Sequence, residues 1–159
     1  MQAKAHKVDS PPAERWVAFA EAELRAAGHR SSAPRAAVVD LIGRQDCVLT
    51  AHEIAEELRR RGHGVGIATV YRTLELLERG KLVQRLDVGG ASARYEPAFP
   101  GGEHHHHHLV CERCGRVTPF EDDDLERAIA ELADRLSYRV GEHDVVLKGS
   151  CPRCSRVAG

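Results

Sequence analysis

Apolar residues recur at helical spacing through the first half of the chain and at strand spacing through much of the second. Trp16, Phe19, Ala20 and Leu24 form an incomplete stripe after Ser10-Pro11-Pro12, where a serine and prolines mark a helix start. That helix is predicted to run to about Gly28, behind a loose polar tail at 1–11. Residues 28–35 break the chain, and Ser32 with Pro34 opens a second helix carrying Val38, Val39, Leu41 and Ile42. Thr50-Ala51-His52-Glu53 is a capping-box pattern, with Thr and Glu three apart, at the head of a third helix. Ile54, Ala55 and Leu58 of that helix face inward, Arg59-Arg60-Arg61 face outward, and Gly62 stops it. After the glycine-rich connector 62–66, Ile67, Val70, Leu74 and Leu77 mark the buried face of a fourth helix. Thr69, Tyr71 and Arg72 then point elsewhere, near its start.

Helix, short turn and helix, with polar and aromatic groups exposed early in the second, is the pattern of a helix-turn-helix. Residues 82–86 and 93–96 read as a hairpin turning at 87–91, which extends the unit to a winged helix. Arg85 and Arg94 on the wing suit a DNA backbone or ordinary surface charge equally well. Pro97-Ala98-Phe99-Pro100-Gly101-Gly102 argues against helix or strand. The expected domains are therefore 1–96, a winged-helix DNA-binding domain; 97–103, a hinge linker; and 104–159, a second domain. There, 104–111 is strand-like, and 116–120 is its partner, confined by Pro119 to an edge or a short strand. Acidic residues 121–124 open a helix whose apolar face is Leu125, Ile129, Leu132 and Leu136. Residues 138–147 are strand-like again.

The 159 residues suffice for one typical domain or two small ones. Residues 1–98 carry 15 Lys+Arg and 13 Asp+Glu, and residues 99–159 carry 8 and 11, a mild asymmetry that fits a nucleic-acid-facing first half. No apolar run approaches the ~18–20 residues needed to span a bilayer, and the first residues lack the apolar segment of a secretory signal. A cytoplasmic protein without membrane contact is expected. Thiols stay reduced there, so paired Cys-x-x-Cys motifs point to metal rather than to disulfides.

The ligand-bearing residues are concentrated in one stretch. His104 to His108 is followed directly by Leu109-Val110-Cys111-Glu112-Arg113-Cys114-Gly115. An affinity tag would sit at a terminus, and this run is internal. Cys111, Cys114, Cys151 and Cys154 form two Cys-x-x-Cys hairpins, which together suit a tetrahedral four-thiolate site for structural Zn2+. The distance between them exceeds that of a compact zinc ribbon, so a small strand-helix-strand unit must fold in between. If 104–108 is extended, His105 and His107 face one way and His104, His106 and His108 the other, so one strand can serve two separate sites. Glu96, Glu126 and His143 are candidates for the remaining ligands. His52-Glu53 lacks the second histidine of a His-Glu-x-x-His metalloprotease helix, so no enzyme and no small-molecule substrate are expected. A zinc-storage or metallochaperone role for the histidines would leave the helix-turn-helix unexplained.

These motifs, in this order, resemble the ferric uptake regulator family of metal-responsive bacterial repressors over residues ~15–155. The resemblance rests on Ala27-Gly28, Pro34-Arg35, Gly66-Ile67-Ala68-Thr69-Val70-Tyr71-Arg72, Arg94-Tyr95-Glu96, the histidine run and both Cys-x-x-Cys pairs. It implies an α+β chain, with an N-terminal winged helix-turn-helix domain and a C-terminal α/β dimerisation domain that holds a four-cysteine zinc site. It also implies a homodimer on a palindromic double-stranded DNA operator. A hinge regulatory site is implied at Glu96, His106 and His108, and a second metal site at His105, His107, Glu126 and His143. DNA contacts fall to Arg30, Arg35, Thr69, Tyr71 and Arg72, with Tyr71 and Arg72 in the major groove and Arg30 in the minor groove. Val48 stands where many members add a histidine to the hinge, which makes the neighbouring Cys47 a candidate ligand. Pro119 stands where peroxide-sensing members place an aspartate. His107 makes the second site nitrogen-rich. The regulatory metal is thus Zn2+ or Fe2+, with zinc favoured and iron-, manganese- or peroxide-responsive repressors as the alternatives.

Overall fold

A computed structural model describes residues 13–45, 48–87, 92–98, 106–141 and 143–156. They fall into two compact units, 13–98 and 106–156. The expected tail at 1–11, the wing turn at 88–91, most of the linker at 99–103, and the ligand candidates Cys47 and His105 lie outside the described residues.

The first unit runs α1 (Ala13–Ala26), α2 (Ala33–Gly43), β1 (Leu49–Thr50), α3 (Ala51–Arg60), α4 (Ile67–Arg79), β2 (Val83–Leu86) and β3 (Arg94–Pro97). Trp16, Ala20 and Leu24 are buried on α1 at successive turns, and the Trp16 indole N–H donates to the carbonyls of Leu82 (3.2 Å) and Ala98 (3.1 Å). These residues join Val38, Val39, Leu41 and Ile42 of α2, Ile54 and Leu58 of α3, and Val70, Leu74 and Leu77 of α4 in one core. Thr50 caps α3 as its spacing predicts: its hydroxyl accepts from Glu53 N (3.1 Å), and the Glu53 carboxylate accepts from Thr50 N (2.7 Å). Gly62, at φ +83°, then reverses the chain in the left-handed region that glycine adopts without strain.

Three details differ from expectation. Ile67 is exposed, because it starts α4 before the helix has turned over the core, and Thr73 is buried in its place. The Thr73 hydroxyl is satisfied by donating 2.8 Å to the Thr69 carbonyl. The two-residue β1 carries no periodic signal, yet it pairs antiparallel with β3 and makes the wing a three-stranded sheet of order β1-β3-β2. Arg94 is committed within the unit: it lies 3.3 Å from Glu53 and reaches the Val48 carbonyl, which ties the wing to the head of α3.

Gly43 closes α2 against α1. A Cβ there would meet Val17 Cγ2 at 2.6 Å and Trp16 Cε3 at 2.8 Å. The Gly43→Ala variant is therefore expected to lose about 1–3 kcal/mol through overpacking, read as a lower denaturation midpoint of the first unit at an unchanged m-value.

The second unit runs β4 (His107–Cys111), β5 (Val117–Phe120), α5 (Asp123–Arg135), β6 (Val146–Gly149) and the short α6 (Pro152–Ser155). Its sheet has the order β5-β4-β6, with β5, and hence Pro119, at an edge. β4 pairs antiparallel with β5 and parallel with β6. A parallel neighbour needs a long crossover, and α5 supplies it. Asp122 caps α5 by accepting from Leu125 N at 2.8 Å, and three acidic residues follow in the first turn, where the helix dipole favours them. The strand expected at 138–147 is confined to Val146–Gly149. Ser137, at φ +57°, redirects the chain after α5, and Tyr138 and Val140 stand exposed outside any ladder. The expected apolar face of α5 exists but is left largely open among the described residues: Leu125 and Ile129 are half-buried, Leu132 is 45% exposed and Leu136 62%.

Candidate metal centres and DNA-facing residues

The parallel pairing of β4 with β6 explains the cysteine cluster. Cys111 ends β4 in register with Gly149 at the end of β6, and Glu112 N donates to the Gly149 carbonyl at 2.8 Å. Each strand runs straight into a Cys-x-x-Cys turn, so the two turns emerge side by side. Gly115, at φ +72°, closes the first, with its N–H 2.8 Å from the Cys111 carbonyl. In the second, Cys154 N donates 2.9 Å to the Cys151 carbonyl as α6 begins. Arg113 spans the two turns by donating 2.7 Å to the Cys154 carbonyl.

The sulfurs of Cys111, Cys114, Cys151 and Cys154 all lie within 4.8 Å of one another. Four sulfurs about 2.3 Å from a central ion stand about 3.8 Å apart, and Cys114 and Cys151 Sγ are 3.8 Å apart. The donor set fits tetrahedral zinc. Backbone N–H groups, foremost Cys151 N at 3.3 Å, aim at Cys111 Sγ and hold its thiol down at about 6, so it favours the thiolate that a metal needs. Cys154 goes the other way, pushed up to about 12 by the hydrogen bonds it shares with Cys151 and Cys114. Four adjacent thiols cannot all ionise alone, and a divalent cation would replace the protons they share.

A second cluster lies inside the same unit. Glu126, one turn into α5, sets one carboxylate oxygen 2.7 Å from His107 Nε2 and the other 3.1 Å from His143 Nε2. His107 is buried, with its ring 5.4 Å from those of both Phe120 and His143. The ligand atoms of His107, Glu126 and His143 all lie within 4.8 Å of one another. Two imidazoles and a carboxylate suit zinc, iron or nickel. His106, just before β4, and His108 on it form their own ring pair at 4.8 Å, with His108 buried, as residues two apart in extended chain do. Glu96 is a buried carboxylate on β3 of the first unit.

Among the residues singled out for DNA, Tyr71 is 41% exposed on the outer face of α4, and Arg72 folds along the helix to the Ala68 carbonyl at 3.2 Å. Thr69 is half-buried in the first turn of α4. Arg35 donates to the Arg30 carbonyl, which places the two arginines together at the start of α2. The Arg59-Arg60-Arg61 run is paired on its own helix: Arg60 and Arg61 both lie 2.7 Å from Glu57, whose carboxyl they hold below the usual range, and Arg59 lies 3.6 Å from Glu56. His52, which no sequence argument for DNA contact included, stands edge-on to Tyr71 at 6.1 Å. Only the spacing across the two helices could have revealed it.

Comparison with known proteins places these clusters in context. The sequence model of the Ferric uptake regulator family matches residues 26–148. The zinc uptake regulation protein of Mycobacterium tuberculosis (strain CDC 1551 / Oshkosh) is 37% identical over 131 residues, covering 82% of this chain and 98% of that protein. The solved ferric uptake regulator of Vibrio cholerae superposes with a TM-score of 0.74 at 31% identity, covering 82% of this chain and 98% of its own. That of Helicobacter pylori, described as having three functional metal-binding sites, superposes at 0.80 with 25% identity, covering 92% and 95%.

Proposed function

The chain belongs to the ferric uptake regulator family, and on that footing we propose that it is a metal-dependent transcriptional repressor of metal-uptake genes, responding to zinc. The observation that carries the reading is the presence, in one chain, of an outward Tyr71–Arg72 face on the second helix of a helix-turn-helix and a His107–Glu126–His143 cluster built for a transition metal. The nitrogen-rich ligand set and the similarity to a protein named for zinc uptake favour zinc over iron.

Cys111, Cys114, Cys151 and Cys154 hold structural zinc. Glu96, His106 and His108, with Cys47 as a further candidate ligand, form the regulatory site, with ligands from both sides of the 99–105 segment. His107, Glu126 and His143, with His105, form the second site. Metal bound at the regulatory site would supply a crosslink across that segment. Glu96 carries that constraint into β3, whose two neighbours lead to α3 and α4. Tyr71 and Arg72 then read the major groove, and Arg30 and Arg35 reach the adjacent backbone and minor groove. The exposed Leu132 and Leu136 of α5, together with Leu109 and Leu147, exposed register partners on β4 and β6, fit a second copy of the chain. A homodimer would present two recognition helices about 34 Å apart to a palindromic operator. The protein acts in the cytoplasm as a regulator, without enzymatic activity. No helix among the described residues is long and apolar enough to cross a membrane.

The test is metal-resolved DNA binding. The four-cysteine zinc is left in place, the weaker sites are stripped, and free Zn2+, Fe2+, Mn2+ and Ni2+ are buffered against a library of palindromic duplexes. Half-saturation at far lower free zinc than free iron is the expected result. Response to iron or manganese at lower levels would assign another metal, and no metal response at all would end the repressor reading.

A further inference from the structure

Tyr71 is exposed on α4, and an exposed tyrosine samples several rotamers, a freedom that binding must remove. Its neighbour across the helix-turn-helix is His52, the second residue of α3. The rings stand 6.1 Å apart with planes at 81°, the edge-to-face geometry that aromatic quadrupoles favour. His52 is itself anchored: the capping box of Thr50 and Glu53 fixes the first turn of α3, and Arg94 ties Glu53 to the wing. Both rings are on the surface, so the pair adds nothing to the core. A duplex laid across α4 would cover it and strip its water, which strengthens such a contact at the moment of recognition.

We propose that His52 is a positioning residue for Tyr71, holding its ring in the orientation that meets a thymine methyl and so setting base preference at that step of the operator. This rests on the reading of Tyr71 as a base-contacting residue. The ring pair contributes to operator choice through residues that the metal sites do not touch.

The experiment uses the zinc-loaded full chain, as native protein and as the Tyr71→Ala, His52→Ala and His52→Phe variants. Affinity is measured by fluorescence anisotropy for the duplex selected by the native protein and for copies in which each symmetric thymine pair is replaced by deoxyuridine. That replacement removes one methyl and leaves base pairing intact. The native protein is expected to lose affinity at one replaced position, and Tyr71→Ala to be indifferent there. His52→Ala should lose about threefold to tenfold on the thymine duplex and most of its methyl sensitivity, and His52→Phe should restore both. A merely structural role would weaken thymine and deoxyuridine duplexes equally and would not be rescued by phenylalanine. Full methyl sensitivity in His52→Ala, or an equal loss on both duplexes, would overturn the proposal alone. Full sensitivity in Tyr71→Ala would overturn the reading of Tyr71, and the proposal with it.

Discussion

The Cys151→Ser variant is expected to lose its zinc and, with it, the fold of residues 106–156, while 13–98 stays folded. The two units are built very differently. Sixteen buried residues among those described form the core of the first. In the second, the buried apolar residues among those described are Val110, Cys111 and Val117, and no described side chain of α5 is fully buried. So little core cannot offset the conformational entropy of ordering the chain. A structural zinc contributes on the order of 10–16 kcal/mol, comparable to the whole stability of an ordinary domain. It also joins the ends of β4 and β6, whose parallel pairing closes a long loop. Serine keeps the size of the side chain but replaces the thiolate with a hydroxyl that binds zinc poorly. The expected result is protein without bound zinc by mass spectrometry, proteolysis confined to the second unit, and a thermal transition of the first unit close to the native one. A variant that kept a folded second unit without zinc would show that the uncovered apolar faces, buried in a dimer, stabilise the unit without the metal.

The core of the first unit is legible in the sequence because helical periodicity reports burial directly: Val70, Leu74 and Leu77 are buried at the spacing that marks them. Ile67 shares that spacing and is exposed, since periodicity says nothing about where a helix meets the core. β1 was not legible, because two residues, Leu49 and Thr50, have no period; it exists through its ladder to Tyr95 and Arg94. The apolar residues at Tyr138 and Val140 read as a strand because alternation reports an apolar surface whether or not a ladder covers it. The split of His107 from His106 and His108 was legible from strand geometry alone. The depth of His107 and His108 was not, because it comes from packing in three dimensions. Arg94 was ambiguous until Glu53 appeared beside it, since two residues 41 positions apart carry no joint pattern.

The Glu96→Gln variant is expected to lose about 100-fold in zinc-dependent DNA affinity and little in DNA affinity without regulatory metal. Glutamine preserves shape and hydrogen-bonding reach but removes the charge that makes a carboxylate a good ligand. Loss of one ligand to a labile site lowers metal affinity and removes the carboxylate ligand proposed from the first unit, so the remaining histidines could bind metal without constraining β3. Glu126→Gln is the matched control. It weakens the contacts of 2.7 and 3.1 Å to His107 and His143, yet all three residues belong to the second unit. Its expected effect is a lower metal stoichiometry and a lower melting temperature of that unit, with zinc-dependent DNA affinity reduced far less. Anisotropy titrations at buffered free zinc, paired with metal counting on the same samples, separate the two. If Glu126→Gln removed the zinc response and Glu96→Gln left it intact, regulation would reside in the His107–Glu126–His143 cluster. The signal would then have to travel from α5 through the second unit, not through the strand that carries Glu96.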